Sequence, residues 1–485
     1  MMELTQQGFP EASVYTLDAR GTGHSDFLSC PDQEAPLSDS GAWITVAELG
    51  DCIAYLQTTH GADLETFSTT HSAIDLAAFI YHTREPGQNV LMWGGSGGTF
   101  WAQRFLQIFP DLAQGVVLEG IVPADGSLVI QDEYDDLKIR EILQLCTTDA
   151  FCSPLLAAPE PQLLALFGLL DGGHCSNLGV STTELKQILR NMAYYGPFNA
   201  MIPAVIHRLQ RCDPGDEQAI INLYGALFGG SSAPGSFSTV VFFQQLASEL
   251  WLTPELSTAA DVLSYLDGVY ANTILSFGMG YDRHEVYLGW PRYTDSRDNS
   301  WASSDVPMLM LQGELDPSTP YDFAIDVGAN FSGANQAFVS FPHAAHNVMG
   351  ATPTSSTANP LDCARQLFLS FLRAPTTSLD TSCVAQVVPM DFEGTLVAPY
   401  IMGTINYWDN VSALVSEPPG HDLPTSIREA LRRLRLQLRQ SRLHSDVHAR
   451  RDPVVYRNSI HTNLRRFGLS GKGAAESAYR RSADL

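Results

Sequence analysis

The chain has 485 residues, 45% of them apolar, and a formal net charge of −25 from 53 acidic against 28 basic side chains. That is enough apolar sequence for one large core plus an inserted or appended domain, and the acidic excess excludes a general affinity for nucleic acid or anionic membrane over most of the surface. No stretch approaches the roughly 20 uninterrupted apolar residues that a membrane-spanning helix needs.

In chain order, residues 12 to 18 read as a short β-branched and aromatic strand running into the glycine-punctuated turn Asp18-Ala19-Arg20-Gly21-Thr22-Gly23. Helices are predicted near 43 to 59 and 68 to 84. Asn89 to Trp93 is a short apolar run between Gly87 and Gly94-Gly95, and helical sequence resumes at Thr99. A further strand is predicted at Gly115 to Val122, and the alternation of strands with helices implies a parallel sheet. From about 123 to 305 the pattern becomes helix after helix, with a capping box at Ser181 and Glu184. Strands return at Val306 to Gln312 and Gln336 to Phe341, and a helix at about 361 to 372 closes the pattern. The expected organisation is a core over 1–122, a helical cap over 123–305, the second part of the core over 306–420, and a tail over 421–485.

That tail holds 14 basic against 6 acidic residues. Ile427, Leu431, Leu434 and Leu438 recur at helical spacing among Arg432, Arg433, Arg435 and Arg439, a basic amphipathic segment followed by polar sequence expected to be disordered. Its readings are a solvated tail, one folded on the acidic body, or a contact with membrane surface or nucleic acid.

Eight cysteines avoid the paired spacing of zinc sites. Sequence order suggests Cys30 with Cys52, Cys146 with Cys152, Cys175 with Cys212 and Cys363 with Cys383, although spacing does not fix connectivity; eight buried thiols are the alternative. Sequons at Asn330 and Asn410 are compatible with secretion, whereas Met1 to Gly8 has neither a basic leader nor an apolar signal region.

The chemistry centres on Gly94-Gly95-Ser96-Gly97-Gly98, which fits G-x-S-x-G between an apolar strand and a helix. Such a turn lifts a serine hydroxyl above the carboxyl edge of a sheet, in a strained conformation that demands small neighbours. Serine needs a histidine to take its proton, and the histidine needs a carboxylate to fix its tautomer. Asp316 follows a predicted strand, with Glu314 as runner-up. His346 lies beyond the last strand, with His343 as the alternative base. The N–H of Gly97 is the candidate oxyanion donor. This chemistry calls for no metal or organic cofactor.

Asp18-Ala19-Arg20-Gly21-Thr22-Gly23-His24-Ser25 resembles the D-x-R-G-x-G-x-S turn of the proline-iminopeptidase family, and Gly94 to Thr99 is similar to its G-G-S-Y-G-T elbow, with glycine in place of tyrosine at 97. Thr69 to Leu76 resembles the helix after the turn, Gly313 to Pro320 and Ala344 to His346 its acid and histidine loops, and Cys363 to Cys383 the carboxyl-terminal part of the tripeptidyl-aminopeptidase branch. The resemblance covers about residues 1 to 415. It implies an α/β-hydrolase fold with an inserted helical cap, and a serine exopeptidase that cleaves short peptides from the free amino end through an acyl-enzyme. It also implies an extracellular or secretory setting. Acidic groups would hold the substrate amine, with Glu133, Asp135 and Asp136 as undistinguished candidates. An esterase or lipase-like hydrolase and an inactive hydrolase-like protein are the competing readings. The family's H-G-G-P-G loop, which supplies a second oxyanion donor, would precede Asp18. Only 17 residues do so here, so the expected sheet lacks its first strands and the expected activity is weak.

Overall fold

A computed structural model describes residues 2–35, 44–228, 237–355 and 361–413. Among them, one compact unit draws on 2–131, 237–268 and 280–388, and a second on 132–228, 269–279 and 389–413. The basic amphipathic segment of the tail lies outside the described residues.

The first unit is built on a parallel sheet of four strands in the order β1 (Leu91–Gly95), β2 (Gly115–Glu119), β3 (Met308–Gly313) and β4 (Gln336–Phe341). It is of the α/β class, as the alternating pattern predicts. β2 and β3 are buried along their whole length, which explains their continuous apolar sequence. Their residues alternate between two faces. Val116, Leu118, Met308 and Met310 enter one core layer with Ala73, Ala77 and Ile80 of α1 (Thr69–Thr83) and Phe105 and Leu106 of α2 (Gly97–Ile108). Ala324 and Val327, from a helix over Tyr321–Asn330, complete that layer. Val117, Leu309 and Leu311 enter the other, against Ala364, Leu367, Phe368 and Phe371 of the helix Cys363–Arg373. The result is three layers, with the carboxyl ends of all four strands on one edge. β1 is an edge strand, and Leu91 and Trp93 on it are exposed.

Residues 12 to 18, predicted as a strand, form none. Tyr15 packs instead edge-on against Phe79 of α1. Strand propensity describes a side chain's fit to a pleated neighbour and is realised only where a ladder partner exists.

The second unit is helical, with Pro159–Asp171, Thr182–Ala193, Ile202–Arg211 and Pro214–Phe228 among its helices. The predicted capping box forms: the Ser181 hydroxyl accepts from Glu184 N–H, and the Glu184 carboxylate accepts from Ser181 N–H. Fully buried Arg208 donates to Asp216 (3.0 Å), to Asn410 Oδ1 (2.6 Å) and to the carbonyl of Asp409 (2.7 Å), tying this helix to the 404–410 segment.

All four cysteine pairs suggested by sequence order are formed as disulfides, two in each unit. Closing loops of 20 to 37 residues at the three longer ones constrains the unfolded chain by about 3 to 4 kcal/mol each in the entropic account. No helix among the described residues is long and apolar enough to cross a membrane.

Beside the Cys30–Cys52 disulfide, Glu34 accepts a hydrogen bond from Cys30 N–H (2.6 Å), yet burial pushes its carboxyl up from 4.5 to about 7. Below pH 4.5 the group is protonated folded and unfolded, and burial costs no charge. Between pH 4.5 and 7 the unfolded form ionises while the folded form holds its proton, so stability falls across that window and the loss is complete above 7, where the folded form carries a desolvated carboxylate. Glu34→Gln keeps an acceptor for Cys30 N–H and removes the charge. Allowing for solvent screening, it should stabilise the protein by about 1 kcal/mol at pH 8 and by nothing measurable at pH 4, read from urea midpoints at the two pH values. An equal effect at both would refute the assignment.

Candidate active site

Ser96 follows β1 directly and caps α2. Its backbone sits at φ 54°, ψ −127°, a left-handed conformation that costs a non-glycine residue on the order of 1–3 kcal/mol. Three hydrogen bonds hold it there. Ser96 N–H donates to the carbonyl of Glu119 (2.8 Å), extending the β1–β2 ladder by one step, while Thr99 N–H (2.8 Å) and the Thr99 hydroxyl (2.6 Å) both donate to the Ser96 carbonyl. Of the motif's outer glycines, Gly94 meets the steric demand: a Cβ there would stand 2.5 Å from the Gly98 carbonyl oxygen. A Cβ on Gly98 would enter open space. Gly97 is the first residue of α2, so its N–H has no acceptor within the helix and is available to an anion.

Asp316 and His346 come together from the loops after β3 and β4. His346 Nδ1 and Asp316 Oδ2 are 2.8 Å apart, and both side chains are buried. A carboxylate oxygen only accepts, so Nδ1 carries the ring proton and Nε2 is left with a lone pair. Asp316 is itself held from several sides. Oδ1 accepts the N–H groups of Ser318 (2.8 Å) and Thr319 (2.9 Å), and Oδ2 accepts the Thr319 hydroxyl (2.6 Å) and Gln312 Nε2 (3.3 Å). With its proton spent on Asp316, Thr319 Oγ1 turns a lone pair towards His346 Nδ1 at 3.2 Å and favours the same tautomer.

The two loops are pinned to each other. Leu315 N–H donates to the Ala344 carbonyl (3.0 Å), and a Cβ on Gly313 would lie 2.2 Å from the Ala345 carbonyl oxygen, so only glycine admits this approach. Gly120, one residue past the acceptor of Ser96 N–H, lies under the His346 ring at φ +62°; a Cβ there would be 3.0 Å from Cε1. The Ser96 turn and the Asp316–His346 pair thus share the carboxyl edge of one sheet. The runners-up lie elsewhere in the same loops: Glu314 accepts the Ser340 hydroxyl (2.8 Å), and no carboxylate pairs with His343 among the described ion pairs.

Gln312 and Thr319 escape a reading of the sequence alone. Gln312 is fully buried, donates to the carbonyl of Thr319 (2.7 Å) and accepts Ile121 N–H (2.8 Å), which joins the end of β2 to the Asp316 loop. A polar residue ending an otherwise apolar strand, Met308-Leu309-Met310-Leu311-Gln312, was the available signal.

The acids suggested for a substrate amine lie in or beside the first helix of the second unit, Gln131–Thr148. Asp135 is buried and ion-paired with Arg190, its carboxyl pushed up to about 6 by burial against the pull of that guanidinium. Asp136 accepts the N–H groups of Ile274 (2.8 Å) and Leu275 (2.9 Å). Both have internal partners.

No curated protein matches the chain. A family model described as TAP-like protein, of the α/β-hydrolase type, matches residues 280–383. That segment carries β3, Asp316, β4 and His346, and together with the parallel sheet the match supports a hydrolase of the α/β-hydrolase class.

Proposed function

We propose that the protein is a serine hydrolase acting as an aminopeptidase on short peptides, with Ser96 as nucleophile, His346 as general base and acid, Asp316 as its orienting carboxylate and Gly97 N–H as oxyanion donor. The observation that carries the reading is the buried 2.8 Å Asp316–His346 contact, on the sheet edge where Ser96 occupies a strained turn. Ser96 Oγ attacks the scissile carbonyl while His346 Nε2 takes its proton, and the imidazolium is stabilised by Asp316 across Nδ1. As the tetrahedral intermediate collapses, the C–N bond breaks and Nε2 returns the proton to the leaving amine. Water then enters and attacks the acyl carbonyl as Nε2 takes its proton; the C–Oγ bond breaks, Nε2 returns that proton to Ser96 Oγ, and the acid product leaves. Gly97 N–H, at the positive end of the α2 dipole, stabilises the oxyanion in both steps.

The peptidase part of the proposal is supported by the TAP-like match and by the acidic surplus, which favours a cationic substrate end. The four disulfides, with no helix long and apolar enough to cross a membrane, are compatible with an extracellular location.

The test has two stages. A fluorophosphonate probe should label the parent protein at Ser96, and a panel of aminoacyl and short peptidyl amides should be cleaved only with a free amino end. Equal rates on free and acetylated peptides would remove the aminopeptidase claim, and faster turnover of short acyl esters than of any amide would favour an esterase. Absence of labelling would remove the serine-hydrolase claim itself.

A further inference from the structure

Glu119 ends β2, and its side chain is 3% exposed. Its backbone carbonyl accepts the Ser96 N–H, as described above. Its carboxylate Oε1 accepts the N–H of Met349 at 2.8 Å, three residues beyond His346. The residue after it is the Gly120 that underlies the His346 ring. One residue thus touches the serine turn with its main chain and the histidine loop with its side chain. On the far side, Arg365 Nε donates to the Met349 carbonyl (3.2 Å), so both backbone polar groups of Met349 are held.

The cost of this arrangement is plain. Glu119 Oε2 is buried and has no hydrogen-bond partner among the described residues. Hiding a carboxylate from water for a single backbone hydrogen bond is unfavourable, and an apolar side chain at the end of this buried strand would pack at less expense. A buried acid with one unsatisfied oxygen calls for a role other than stability.

We propose that Glu119 is a positioning residue that sets the distance between Ser96 and His346 by holding the 346–349 loop at a fixed reach from the β2 terminus. This rests on the serine-hydrolase reading of the site. What matters is the length of the side chain and its acceptor oxygen. Its charge is incidental.

Two near-isosteric changes separate reach from charge. Glu119→Gln keeps the chain length and an acceptor oxygen for Met349 N–H while removing the charge. Glu119→Asp keeps the charge and loses one methylene of reach. Misplacement by about 1 Å at a reacting pair costs on the order of 10²-fold, so the rate of fluorophosphonate labelling should fall about 10²-fold in Glu119→Asp. In Glu119→Gln it should stay within about threefold of the parent. On a cleaved substrate the loss in Glu119→Asp should appear in kcat with KM little changed. Thermal unfolding of both variants identifies any that fail to fold, and the folded Gln variant alone decides against the proposal if its labelling collapses. The reverse order, Asp active and Gln impaired, would overturn it in favour of an electrostatic role, as would parent-like rates in both. A parent protein that is not labelled at all would sink the serine-hydrolase reading first, and this inference with it.

Discussion

Replacing Ser96 with alanine is expected to abolish both turnover and fluorophosphonate labelling while leaving the thermal transition in place. The hydroxyl makes no structural hydrogen bond among those described, and the turn is held by main-chain bonds of Ser96 and by Thr99. His346→Ala and Asp316→Asn should each lower turnover by about 10³- to 10⁴-fold. In Asp316→Asn the amide can present its NH₂ group to Nδ1 and invert the tautomer, placing the ring proton on Nε2 where a lone pair is required. The losses should not add, because each removes the same proton-transfer unit. Glu314→Gln and His343→Ala should stay near the parent rate. If these two were dead and the Asp316 and His346 variants retained normal rates, the assignment of acid and base would be wrong.

The second large effect concerns stability. Arg104 on α2 is almost fully buried and faces three carboxylates: Asp298 (2.7 Å), Asp295 (3.2 Å) and Glu249 (3.5 Å). It also donates to the Thr70 hydroxyl (2.9 Å), while Glu249 accepts Thr69 N–H (2.9 Å) and the Tyr293 hydroxyl. Burial already pushes the Glu249 and Asp298 carboxyls upward, and the guanidinium is what pulls them back. Arg104→Met should therefore destabilise the protein by about 3–5 kcal/mol at pH 8, since it strands several desolvated acids. The loss should shrink at pH 5, where Glu249 and Asp298, their pKa values raised further without the guanidinium, take up protons in the folded state. Urea unfolding at the two pH values measures both statements. Glu249→Gln added to Arg104→Met should recover part of the loss at pH 8. An unchanged midpoint in the single variant would show that the cluster does not brace α2.

Much of the candidate site could be read from the sequence because its parts are local. The elbow is a contiguous pentapeptide whose meaning depends on the strand before it and the helix after it. Asp316 lies three residues beyond the end of β3 and His346 five beyond β4, so recognising the strands was enough to place both at one edge. Glu119 and Gln312 could not be read in this way. Their partners, Met349 and Ile121, lie 230 and 191 residues away in the chain, and no local pattern encodes such a pairing. Residues 12 to 18 were misread for a related reason, since propensity records a preference and the ladder depends on a neighbour. Helical periodicity likewise shows that a segment has an apolar face without saying which core receives it. The helix Thr239–Glu249 carries Glu249, whose partner Arg104 belongs to the helix after the elbow.

The same long separations bear on how the protein reaches its native state. β1 with β2, and β3 with β4, are near neighbours in the chain and can pair early. The β2–β3 seam instead closes a loop of nearly 200 residues, the entropic cost of which precedes any reward from contact. Asp316 and His346 come from the later half and Ser96 from the earlier half. Joining the seam is therefore the event that brings the Ser96 turn and the Asp316–His346 pair to one sheet edge. In a refolding experiment, recovery of probe reactivity would trail the return of secondary structure and report on that slow, non-local step.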